Sequence, residues 1–258
     1  MSQDSVRARI GLIIPSSNRL AEPHFTTHAP AGVTIHTTRL RMTGPHRMPL
    51  ARLQPLIAEA AAMLADAGCD PIVFHCTANS MGEGLKAERR IGHTIETAMG
   101  ESAMGEAAAG GRSTTTASAT LAALRALDAR RLVLISPYVR ETHQHEIDFL
   151  TEAGLEIAAE RNLGLANSAA YSSAPPDLWR EVLRDMRTDG ADAYFVSCAN
   201  IAAIHVLDDM EAELGRPVIT SNQVALWHAL RLAGINDHVP GIGGLMARGI
   251  PAAAAAAE

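Results

Sequence analysis

Two of the three cysteines close matching motifs. Cys76 stands in Phe74-His75-Cys76-Thr77-Ala78-Asn79-Ser80, and Cys198 in Val196-Ser197-Cys198-Ala199-Asn200. Each follows a short apolar run and precedes small polar residues, the pattern of a strand giving way to a helix. Backbone N–H groups at such a junction point beyond the strand, and the helix start favours negative charge. A thiol placed there is pulled toward thiolate, its reactive form. A substrate carboxylate finds donors in the same place, and those donors can stabilise enolate-like charge. Two opposed thiols suit a small set of reactions. One thiolate can take an α-proton while the other thiol returns one to the opposite face. A thiolate can add to an activated double bond, which rotates as a single bond before the thiolate leaves. A decarboxylation would need only one thiol as proton donor. The ordinary use of cysteine, as a small buried hydrophobe, is assigned to Cys69. Matching positions at two strand ends assign chemistry to Cys76 and Cys198.

The elements that must position these thiols repeat. Short apolar runs alternate with helical patterns, the signature of βα units and a parallel sheet. Strands are expected at Arg9–Ile14, Val33–Thr38 and Pro71–His75. A helix is expected at Leu50–Ala67, closed by Gly68, and another from Asn79 or Ser80. Laying Cys76 on Cys198 carries Arg9, Leu12, Ile13 and Pro15 onto Arg131, Leu134, Ile135 and Pro137 without a gap. It also carries Gly32, Ile35, Gly68 and Asp70 onto Gly154, Ile157, Gly190 and Asp192. The predicted fold is therefore α/β, with two pseudo-symmetric half-domains, each a roughly four-stranded parallel sheet flanked by helices. The halves are drawn at 1–125 and 126–230, with 231–258 packing back on the first. Ligands bind beyond the carboxyl ends of such strands, so the active site is expected in the cleft between the halves. A local duplication, Ala98-Met99-Gly100-Glu101 and Ala103-Met104-Gly105-Glu106, is read as a surface extension.

Composition removes other classes. Hydrophobic residues make up 47% and charged residues 19% of the 258 positions, as in ordinary globular proteins. A net charge of -6 and 3% aromatics argue against nucleic acid and anionic membrane as partners. No run approaches the ~20 apolar residues of a membrane span, and the polar start, Met1 to Arg9, does not read as a signal peptide. An odd number of cysteines fits a reducing cytoplasm better than a disulfide framework. The only lysine, Lys86, lies in a polar helical stretch and reads as a solvated residue, against a Schiff-base cofactor. His143 and His145 stand two apart, on opposite sides of a helix, so they cannot hold one metal and read as surface histidines. No metal, nucleotide or other cofactor is expected. Arg39 and Arg41 follow the second strand and could bind a carboxylate or be solvated.

The two cysteine motifs, the duplicated plan and the turn Pro15-Ser16-Ser17-Asn18 resemble the aspartate/glutamate racemase superfamily. The nearest branch is the maleate cis–trans isomerases, with the arylmalonate decarboxylases beside it. The resemblance runs from about Arg9 to Gly249. It implies a cofactor-independent isomerase acting on a small carboxylate, with Cys76 as nucleophile and Cys198 as second thiol. Amino-acid or hydroxy-acid racemization or epimerization is the alternative chemistry of the same superfamily, and a non-catalytic carboxylate-binding protein that kept the cleft is a third reading, disfavoured by the retention of both cysteines. The resemblance places Asn18 and Ser16 at a carboxylate, and Thr77 as a donor to it. It gives Tyr138, in Ser136-Pro137-Tyr138, a hydroxyl contact with substrate, and Asn167 a second carboxylate. Ala199 falls beside the second thiol. In the decarboxylase branch glycine replaces the first cysteine, so Cys76 points away from that branch. The resemblance also implies a homodimer. The resemblance assigns no role to His75, and Thr220-Ser221-Asn222 is a loose match to a cleft wall.

Overall fold

Ile10, Leu12, Ile13 and Ile14 run almost unbroken through the first strand and are wholly buried. Such a run belongs to the centre of a parallel sheet, where both faces are covered. The computed structural model describes residues 6–42, 48–101 and 112–251. In the first half β1 (Ala8–Pro15), α1 (Ala21–His28), β2 (Val33–Leu40), α2 (Leu50–Asp66) and β3 (Ile72–Phe74) follow in order. Then come α3 (Thr77–Ser80), α4 (Gly84–Gly100), β4 (Ser113–Thr115) and α5 (Thr116–Ala126). The second half repeats the plan with β5 (Arg131–Ser136), α6 (Arg140–Glu152), β6 (Glu156–Asn162), α7 (Ser168–Ser173) and α8 (Pro176–Asp185). It ends with β7 (Ala193–Val196), α9 (Leu207–Leu214), β8 (Val218–Thr220) and α10 (Ser221–Leu232).

The two sheets have the same order, β2-β1-β3-β4 and β6-β5-β7-β8, and every pairing is parallel. In each, the chain direction across the sheet reverses between the first and third strands. A crevice opens at the carboxyl ends of such a pair. Pro15-Ser16-Ser17-Asn18 and Cys76 lie at that point in the first half; Ser136-Pro137-Tyr138 and Cys198 lie there in the second. Helices α5 and α10, each following the last strand of its sheet, pack on one another. Helix α10 is buried from Ser221 to Arg231, so it is hydrophobic support for both halves rather than a surface helix. Gly11 of β1 is needed for close packing. A Cβ there would stand 3.0 Å from Ile72 and 3.2 Å from Cys69 and Leu64.

Two expectations need correction. The chain turns helical at once after Cys76, as the one-turn α3, and the long helix starts only at Gly84. The first copy of the local duplication is the end of α4, with Ala98 and Met99 buried against the core; the second copy lies outside the described residues. The segment after α10, expected to pack back on the first half, makes polar contacts with both halves. Gln223 donates to the Ile242 carbonyl, and the Gly243 and Gly244 N–H groups donate to Asp208 and Glu211. Trp227 and Arg231 donate to the Arg248 carbonyl. The acidic residues of α9 and the donors of α10 supply the partners this irregular backbone requires. The Arg7–Asp237 pair and the Arg112 bond to the Leu232 carbonyl tie its start to the first half. Residues 252–258 lie outside the described chain.

Candidate active site

Cys76 and Cys198 line the same cavity, of about 410 Å³. Cys76 leaves β3 in an extended conformation and opens α3, where the Asn79 side-chain N–H donates to its Sγ at 3.1 Å. Cys198 leaves β7 with φ of 135°, a region that residues with a Cβ rarely enter. Its N–H donates to Ser221 Oγ at 2.9 Å, and the Asn200 N–H donates to its Sγ at 3.3 Å. Thr77 also donates its hydroxyl to Ser221 Oγ, at 3.0 Å. One hydroxyl at the start of α10 thus ties the loops after both cysteines together.

The halves are stitched across the cleft. Asn18 Nδ2 donates to the Ala199 carbonyl at 2.9 Å, while Asn18 Oδ1 accepts from the Leu20 and Ala21 N–H groups. Asn200 Oδ1 accepts from the Arg19 N–H at 2.8 Å, and Ser168 Oγ donates to the Ser17 carbonyl at 3.0 Å. Tyr138 and Tyr171 pack edge to face, ring centres 5.5 Å apart, and both face the cavity. Arg41, Arg52, Met42 and Met48 form its outer wall. Arg39 does not join them. It donates to the Asn18 carbonyl at 2.7 Å and pairs with Glu22. The strand ends at Leu40, so the pleat no longer aligns Arg41 with Arg39.

Burial governs the acid–base state of the cleft. It pushes the Cys76 thiol up, against hydrogen bonds from Asn79. It pushes Cys198 up to about 12, against a hydrogen bond from Tyr138 and the Asn200 N–H, with Glu146 and Cys76 adding to the rise. The Tyr138 hydroxyl is raised well above its usual range by burial and then by the charge of ionised Cys198. The expected lowering is outweighed at Cys76, where a one-turn helix offers little dipole against full desolvation, and it has no source at Cys198, which is followed by a turn and not by the helix start expected there. His75, lowered to about 4 by burial, is neutral and sits below the floor, bonded to Thr116 and Asn222 at 2.9 and 2.7 Å.

A family model for arylmalonate decarboxylase matches residues 10–246. The chain belongs to that family. Within the family, its similar curated relatives include maleate isomerases. The Pseudomonas putida enzyme is 26% identical over 246 residues, spanning 92% of this chain and 96% of that one. The Nocardia farcinica enzyme is 28% identical over 243 residues, spanning 92% and 95%. A cysteine-to-alanine variant of the maleate isomerase from Pseudomonas putida S16, solved with maleate, superposes with a TM-score of 0.85 at 25% identity, covering 93% of this chain and 97% of that one. A Nocardia farcinica cysteine-to-serine variant carrying a covalently bound succinylcysteine intermediate superposes at 0.83, with 25% identity and 93% and 98% coverage.

In this arylmalonate decarboxylase family member the cleft gathers Cys76, Cys198, Asn18, Thr77, Tyr138 and Ala199. Ser16 is set back, its Oγ accepting from the Met42 N–H at 3.2 Å, and Ser17 lines the cavity in its place. Asn167 is exposed and off the cavity; its side chain caps α7 by accepting from the Ala170 N–H. The neighbouring Ser168 faces inward instead. Sequence reasoning missed Ser168, Tyr171, Arg52 and Met48, which come from helices or their approaches and carry no local motif. Asn200 was in view inside the second cysteine motif, and its role as a bridge between halves needed the fold.

Proposed function

We propose that this chain is a cofactor-independent cis–trans isomerase of a small dicarboxylate of the maleate type. The observation that carries it is the pair of cysteines at equivalent strand ends of two related sheets, lining one cavity. The succinylcysteine of the Nocardia relative supports covalent chemistry at one of them. The Cys76 thiolate adds to one alkene carbon, and the electron pair moves onto the adjacent carboxylate as an enolate. Cys198 delivers its proton to the second carbon. The former double bond is now single and rotates. The Cys198 thiolate takes a proton back, the carbon–sulfur bond breaks, and Cys76 leaves with its electron pair. Both sulfurs accept hydrogen bonds, from Asn79 at Cys76 and from Tyr138 and Asn200 at Cys198, but only Cys198 also has Glu146 opposing its ionisation, so Cys76 is the nucleophile.

The Thr77 N–H at the start of α3, the second N–H of the Asn18 amide and the Tyr138 hydroxyl, once turned away from Cys198, are the donors for the two carboxylates. Arg41 and Arg52, exposed on the outer wall, draw a dianion inward. No helix among the described residues is long and apolar enough to cross a membrane. The test is incubation with maleate, with the vinyl protons followed by NMR and the protein by intact mass. Fumarate should accumulate, and a succinyl adduct should appear on Cys76 when Cys198 is replaced by serine, whose hydroxyl can supply the proton to the second carbon. Absence of fumarate at high enzyme concentration would sink the assignment.

A further inference from the structure

The same overlay that equates the cysteines carries Ser197 onto His75 and Glu146 onto His24. In the first half the residue before the cysteine turns from the cleft to the first helix. His75 Nε2 bonds Asn222 Oδ1 at 2.7 Å, and Asn222 Nδ2 bonds His24 Nδ1 of α1 at 2.6 Å. In the second half the same path is direct: Ser197 Oγ donates to Glu146 Oε1 of α6 at 2.5 Å. An imidazole therefore ends the path behind Cys76, and a carboxyl ends it behind Cys198. The expectation of a surface His143 and an unremarked Glu146 fails, because α6 turns both onto the sheet; each is wholly buried.

Glu146 Oε2 has no hydrogen-bond partner. The nearest basic atom is His143 Nδ1 at 3.9 Å, already bonded to Ser136 Oγ at 2.8 Å. His143 Nε2 bonds Glu160, which Arg140 pairs from outside. The other titratable groups that feel Glu146 are Tyr138, Tyr171 and Cys198, and its charge opposes ionisation of all three. His143 is held neutral by burial, so no cation compensates Glu146. A bare carboxylate oxygen in a packed interior is costly, so the group holds its proton at neutral pH. Burial raises it to about 8, against the Ser197 hydrogen bond.

We propose that Glu146 guards the acid role of Cys198 in alkali: its ionised carboxylate opposes loss of the Cys198 proton over the range in which Cys76 ionises, while the imidazole at the equivalent place puts no such charge behind Cys76. Glu146 touches neither substrate nor sulfur and is a positioning residue. Below its own ionisation it is neutral and Cys198 is protonated in any case. In alkali its proton goes to solvent, and the new charge opposes loss of the Cys198 proton over the range in which Cys76 ionises. The donor stays loaded. The inference rests on the proposed role of Cys198 as proton donor, but its electrostatic part can be read without turnover.

The test is alkylation by iodoacetamide from pH 6 to 10, read by mass spectrometry on the Cys76 and Cys198 peptides separately. Glu146→Gln should match the wild type below pH 7. Near pH 9.5 it should alkylate at Cys198 faster, by about tenfold for each unit that the thiol falls, with Cys76 much less affected. The alkaline limb of kcat should move to lower pH in the same variant. The wild-type profile is a second readout that needs no variant: the Cys198 rate should show a shoulder just above pH 8, as Glu146 ionises. Equal Cys198 rates in a Gln variant with wild-type melting, or a wild-type profile rising without a shoulder, would overturn the proposal. A Cys198 difference without any maleate turnover would keep the electrostatic inference and remove the isomerase reading instead.

Discussion

Glu146 links the second thiol's surroundings to the stability of the whole chain. Its folded-state value, about 8, lies above the ordinary 4.5. The folded state therefore holds the proton over a range in which the unfolded chain has lost it. Stability from this group is fully present below the unfolded value and is lost as pH rises through the folded one. Histidines complicate a simple scan, since His24, His75 and His228, lowered to about 4, act in the opposite sense as pH falls below 6.5. Their contribution is common to wild type and Glu146→Gln, and cancels in the difference. Each pH unit is worth about 1.4 kcal/mol per proton. The stability of Glu146→Gln relative to wild type should thus climb by about 1.4 kcal/mol per unit from pH 5 to 8, and level off above. The total over that range is roughly 4 kcal/mol. Urea unfolding of both proteins at half-unit steps measures it through the midpoints. A difference that stays flat from pH 5 to 8 would refute a buried, proton-holding Glu146.

Other perturbations probe the cleft and its support. Cys76→Ala should abolish fumarate formation and the covalent adduct, while Cys198→Ala should lower kcat by about 10²-fold or more, the usual worth of a positioned acid. Replacing Arg41 and Arg52 together by alanine should raise KM roughly tenfold with kcat within about twofold, as for two partly solvated charge contacts; an unchanged KM would show that they do not meet the dianion. Asn18→Ala removes the bond to the Ala199 carbonyl and the acceptor ahead of α1, and should cost about 1–3 kcal/mol, read as a lower midpoint in thermal unfolding. Gly11→Ala forces a methyl against Ile72, Cys69 and Leu64, and should destabilise by about 1–3 kcal/mol without changing KM.

The architecture was legible in the residues because parallel strands announce themselves as short apolar runs between helical ones. The overlay of Cys76 on Cys198 predicted equal halves, and both sheets share one strand order. The thiols were legible for the same reason, since each ends a strand. What escaped notice came from helices. Tyr171, Ser168 and Arg52 reach the cavity through helix placement, and no local spacing encodes that placement. Asn167 illustrates the converse: its type suits a carboxylate, but a free helix start beside it uses the side chain as a cap. His143 reads as a surface residue in the sequence, and only the packing of α6 on the sheet shows that it and Glu146 are buried. The thiol acidity was misjudged because burial cannot be weighed from a motif.

The backbone angle at Cys198 bears on how this protein can change over generations. Holding a side chain in that region costs about 1–3 kcal/mol, a penalty that glycine, without a Cβ, escapes. Random drift at this codon therefore runs downhill in energy toward a residue with no sulfur. Cys198→Gly should give a protein that melts no lower than its parent while losing as much kcat as Cys198→Ala, so the thiol persists only where its chemistry is selected for.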